Sequence, residues 1–86
     1  MALTEAHEKY EKLVEEEDRA IQQLEVCELA KNAMLDTFYR SEREPDQTTV
    51  KEILKTIHAI DQRLQSELLD LRLEKNSLAR KMKKCT

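Results

Sequence analysis

Ser41-Glu42-Arg43-Glu44-Pro45-Asp46-Gln47-Thr48-Thr49 interrupts a chain that otherwise reads as helix throughout. The stretch holds the sole proline among 86 residues and no aliphatic side chain. Pro45 lacks the N–H that a helix interior requires, and its ring steers Glu44 out of the α region. Just beyond it, Thr49-Val50-Lys51-Glu52 reads as a capping box. The Thr49 hydroxyl would accept from the Glu52 N–H while the Glu52 carboxylate reaches back. Asp46 and Thr48 are alternative starts. The expected layout is a single all-α domain over 1–86, with a helix about 4–41, a link about 42–48 and a helix about 49–84.

Outward from the link, apolar residues recur on both sides at steps of three and four. Upstream, Thr4 is the candidate N-cap. The seam runs through Leu3, Ala6, Tyr10, Leu13/Val14, Ala20/Ile21, Leu24, Cys27, Met34/Leu35 and Phe38, with Glu17 and Lys31 breaking it. Downstream it reads Val50, Ile53/Leu54, Ile57, Ile60, Leu64, Leu68, Leu71, Lys75, Leu78 and Met82. The 60-64-68 steps form a stutter that would loosen coiled-coil winding. Each helix comes to about 37 residues, or about 55 Å. Two equal helices around a short link predict an antiparallel hairpin.

Charge agrees with that layout. Residues 1–41 carry ten acids against five bases, and residues 49–86 five acids against nine bases. Closing the hairpin sets the acidic run Glu15-Glu16-Glu17-Asp18 and its upstream neighbours against the basic stretch from Arg72 to Lys84. Each exposed pair contributes only tenths of a kcal/mol, so charge selects orientation more than it stabilises. Closure symmetric about the link puts residue i near 89 − i, which sets Cys27 opposite position 62 and Cys85 opposite position 4.

Composition excludes several functions. Glycine is absent, which removes phosphate-cradling P-loops and the tight turn of a dinucleotide fold. Tyr10, Phe38 and Tyr39 are the only aromatics, too few for a stacking RNA platform. The longest apolar run, Ala33-Met34-Leu35, is far short of the roughly 20 residues that span a bilayer. Charge begins at Glu5, so no signal-peptide core is expected and the chain reads as cytoplasmic, without membrane insertion. No enzyme chemistry or cofactor is implied. Neither His7 nor His58 has Glu three residues before it, as a di-iron bundle site would need. Asp61 follows His58 by one turn, and the hairpin would bring Glu28 across from Asp61, a weak metal constellation. The simpler reading of His58 is a polar residue beside the seam. Cys27 reads as a small apolar seam residue, and Cys85 lies at another level, which argues against a disulfide between them. His7 and Cys85 share the open end without an orienting third group or an oxyanion donor.

Two helices touching along one stripe leave apolar surface wet. Off the seam, Val26, Leu29/Ala30 and Ala33 form a second stripe on the first helix, and Leu69 and Leu73 another on the second. Those faces suit either self-association, giving a homodimer or higher oligomer, or docking of a client protein's helix. The expected partner-binding residues are Leu64, Leu68, Leu69, Leu71 and Leu73, with Val26, Leu29 and Ala33. Arg80-Lys81-Met82-Lys83-Lys84 is the one basic cluster. Bases at a helix C-terminus are ordinary dipole and solubility features, so nucleic acid is not the expected partner.

The second half, roughly 50–84, resembles flagellar export chaperones of the FliT type. The stretch that carries the likeness is Ile53-Leu54-Lys55-Thr56-Ile57-His58-Ala59-Ile60-Asp61-Gln62-Arg63-Leu64, followed by Leu68, Leu71, Arg72 and the lysine-rich end. The first half matches only in being amphipathic and acidic. The resemblance implies a cytosolic chaperone of type III export that shields the helical C-terminal segment of a filament-cap or hook-associated subunit and delivers it to the export ATPase machinery. The alternative is a non-catalytic coiled-coil subunit that dimerises or joins a larger helical assembly.

Overall fold

The computed structural model describes residues 3–84; Cys85 and the Leu3 side chain lie outside that description, and with them the expectations about the two thiols and the His7–Cys85 juxtaposition. Helix α1 spans Leu3–Arg40 and helix α2 spans Gln47–Lys84, 38 residues each. They fold back antiparallel into a rod of 64 × 16 × 14 Å. One end brings Ala6, Tyr10 and Leu13 against Leu78 and Met82, while Phe38 meets Val50 and Leu54 at the other.

Local chemistry sets the helix starts, and it differs from the capping box expected at Thr49. Asp46 is the N-cap of α2: its side chain accepts from the Thr49 backbone N–H at 3.2 Å and from the Thr49 hydroxyl. The first helical bond runs from Val50 N–H to the Asp46 carbonyl at 3.1 Å. Asp caps better than Thr, and directly after Pro45 it meets free N–H groups that Thr49 would reach one turn too late. Those bonds, chiefly the one from the Thr49 hydroxyl, hold the Asp46 carboxyl below its ordinary value. Thr4 likewise lies inside α1, which is already helical at Leu3.

The inward-turned side chains follow an uninterrupted heptad. On α1 they are Ala6, Tyr10, Leu13, Glu17, Ala20, Leu24, Cys27, Lys31, Met34 and Phe38; on α2 they are Val50, Leu54, Ile57, Asp61, Leu64, Leu68, Leu71, Lys75, Leu78 and Met82. Steps of three and four alternate strictly, so the stutter expected at 60-64-68 does not exist. Asp61 takes the seam position and Ile60 turns outward. The register differs too. Symmetric closure places 72 opposite 17; the closest partner of Glu17 is Lys75, whose Nζ lies 3.0 Å from Oε1, with Arg72 at 3.4 Å. Positions 17 and 75 set residue i near 92 − i, about one turn from symmetry. That register puts both polar breaks of α1 across from opposite charge: Glu17 meets Lys75, and Lys31 feels the charge of Asp61. Seam chemistry, not the midpoint of the link, chooses the stagger.

Candidate functional site

Packing is divided unequally along the rod. Among the described residues six apolar side chains are buried: Ala6, Leu13, Ala20, Leu64, Leu68 and Leu78. All lie from the middle of the rod to its open end. From Leu29 to Ile60 no side chain is buried, although this half carries Leu29, Leu35, Tyr39, Ile53 and Ile60 exposed and Met34, Phe38, Val50, Leu54 and Ile57 half-buried. A seam in a two-helix rod is covered only by its flanking positions. Toward the open end Val14 and Ile21 stand half-buried beside the seam, whereas Ala30, Leu35 and Ile53 beside the loop-proximal seam stay exposed. The loop-proximal half is the incompletely covered part of this fold, and it is the candidate docking site.

Two apolar grooves flank the seam there. One is lined by Leu35, Phe38, Val50 and Leu54, with Lys51, Lys55 and His58 along the α2 rim. The other is lined by Val26, Cys27, Ala30, Ile57 and Ile60. The eight expected partner-binding residues do not make one surface. Leu64 is 3% exposed and Leu68 7%, closed between the helices, and Leu71 packs half-buried on the open-end core. Each of the three contributes only to the wall of a separate groove: Leu64 to the one with Val26, Leu68 to the one with Leu69, and Leu71 to the one with Ala20. Leu69 and Leu73, 65% and 71% exposed, face outward from α2. Val26, Leu29 and Ala33 are exposed on α1. Leu69 and Val26 line different grooves, Leu69 beside Leu24 and Lys31, Val26 beside Cys27 and Ala30. The apolar surface near the link, Leu35, Phe38, Val50 and Leu54 above all, was absorbed into the seam by the periodicity of the sequence. Its openness shows only once both helices are placed.

Electrostatics grade along the rod. Glu17 is held below its ordinary value of 4.5, first by the hydrogen bond from Lys75 and then by the charges of Lys75 and Arg72, against the opposing effect of burial. Lys31 donates to Glu28 at 2.9 Å, and that bond raises it above its ordinary value, with Asp61 adding. Asp61 in turn accepts from Gln65 at 3.2 Å. Lys31 therefore stands with Glu28 and Asp61 in one groove, while His58 lines the neighbouring one. Among the described residues no group of three or more His, Cys, Asp or Glu is placed to hold a metal ion. Cys27 is a free, half-buried thiol in the seam. No helix among the described residues is long and apolar enough to cross a membrane.

Against known protein families, curated proteins and solved structures, the chain finds no match.

Proposed function

We propose that this chain is a non-catalytic binding protein whose loop-proximal half takes up a helix of a partner protein, the task that the FliT-type resemblance assigns to a cytosolic export chaperone. One observation carries this reading. From Leu29 to Ile60 the hairpin carries ten large apolar side chains, and none of them is buried. A third helix laid along the seam would cover Leu35, Phe38, Val50 and Leu54 by the same packing that closes the open end. The test is co-expression with the helical C-terminal segments of filament-cap and hook-associated subunits. A complex is expected in which amides around Leu35 and Leu54 gain protection from exchange. A chain that stays folded and binds none of these segments would remove the export reading.

Self-association is the competing reading, because the apolar grooves on both sides of the loop-proximal seam leave room for a second hairpin to make a four-helix bundle. Sedimentation equilibrium separates the two. A concentration-independent mass near 10.1 kDa for the folded chain rules out the bundle.

A further inference from the structure

The grooves differ in charge, and this difference identifies a class of occupant. Toward the open end, one groove carries Glu16, Glu67, Asp70 and Glu74 against Arg19. The groove holding Leu24 and Leu69 balances Glu28 and Asp61 with Lys31 and Arg72. The groove through Val26 and Ile60 has no carboxylate and a single cation, Arg63; the groove beside the link is the most positive of the four. Its floor is Leu35, Phe38, Val50 and Leu54, its α2 rim carries Lys51, Lys55 and His58, and no carboxylate lines it. Neither Lys51 nor Lys55 has an ion-pair partner among the described residues. Gln47, the first residue of α2, also lines the groove; the carboxylates of Asp46 and Glu44 already occupy that helix end, so the positive rim consists of the lysines. Cations in the first turns of a helix oppose the helix dipole, and the Asp46 cap answers that dipole without pairing either lysine. The chain as a whole carries net charge −3, and this groove, with two lysines and no carboxylate, is where an acidic partner meets the most attraction.

We infer that the groove formed by Leu35, Phe38, Val50 and Leu54 beneath Lys51 and Lys55 binds an amphipathic helix whose apolar anchors are flanked by Asp or Glu. The inference rests on the docking reading above and adds to it the chemistry of the occupant. From Gln47 to His58 the groove runs about 17 Å at roughly 1.5 Å per residue, which accommodates about three turns. Anchors at i, i+3 or i+4, and i+7 would enter the apolar floor, and acids beside them would reach the two ammonium groups.

The probes are two fluorescein-labelled synthetic helices of about 18 residues with identical leucine anchors, one flanked by Glu and the other by Lys. Fluorescence anisotropy should find the Glu-flanked helix about ten-fold tighter in low salt, the effect of two or three exposed ion pairs. The gap should narrow as salt shortens the screening length. The double variant K51E/K55E, changed only at exposed positions, should keep its helical circular dichroism and reverse the preference. Phe38→Ala should weaken both helices. Equal affinities for the two probes would overturn the acidic-partner inference while leaving apolar docking intact. No binding of either probe by the folded chain would overturn both. A dimer whose mate protects Leu35 and Leu54 from exchange, and which neither probe dissociates, would assign the groove to a second copy. Tight binding to phosphatidylglycerol vesicles that K51E/K55E abolishes, with the probe preference unchanged, would assign the lysines to a lipid surface.

Discussion

Replacing Glu17 by Leu should destabilise the hairpin, and adding Lys75→Leu should more than restore it. Glu17 is 13% exposed and Lys75 21%, and the lysine Nζ lies 3.0 and 3.1 Å from the two carboxylate oxygens. An exposed pair contributes about 0.5 kcal/mol, and breaking a fully buried one costs about 4 kcal/mol. This intermediate pair should cost about 2 kcal/mol when Glu17 alone is removed, because the part-buried Lys75 ammonium loses its carboxylate partner. Arg72, half-exposed, can turn to water. With both replaced, the layer joins Ala20–Leu71 and Leu13–Leu78 as apolar packing, and stability should exceed the parent by about 1 kcal/mol. Urea denaturation followed at 222 nm, at fixed chain concentration, reads both changes as shifts of the midpoint at constant slope. Acid supplies a second reading. Because the Glu17 carboxyl titrates lower in the folded chain, its contribution is complete above its ordinary value of 4.5 and is lost as pH falls through the depressed folded value. The parent should weaken over that window more steeply than the double Leu variant. A double variant less stable than the parent would refute the reasoning, since the pair would then be worth more than the hydrophobic layer that replaces it.

Three further outcomes follow from the packing. Leu68→Ala, at a buried seam position, should cost about 2–4 kcal/mol, whereas Leu69→Ser with Leu73→Ser should change stability by less than about 1 kcal/mol, both read by urea denaturation. Asp46→Ala should lower the melting temperature more than Glu52→Ala, because the cap lies at Asp46, and its effect should vanish in acid as pH falls below 3.8 through the depressed folded value. Hydrogen exchange should run faster between Leu29 and Ile60 than among the residues around Leu13 and Leu78, since opening the loop-proximal half exposes little that was buried.

Two long helices, the break at Pro45 and the antiparallel return are legible in the residues alone, because each is a local property. Proline ends helices whatever surrounds it, and a three-four recurrence of apolar residues marks one helical face wherever it packs. The chain taken alone also marks Glu17, Lys31 and Lys75 as seam interruptions, without showing that the first and last meet. Tertiary structure decides that, because pairing depends on a stagger that no single helix encodes. The same dependence explains the position of Asp61. Read by itself, α2 favours the apolar Ile60 for the seam; set against α1, the layer that faces Lys31 takes the carboxylate and turns Ile60 outward. Exposure of the Leu35–Leu54 groove is also a tertiary matter. Periodicity reports which residues face the partner helix, but whether they are covered depends on the neighbours both helices place beside them.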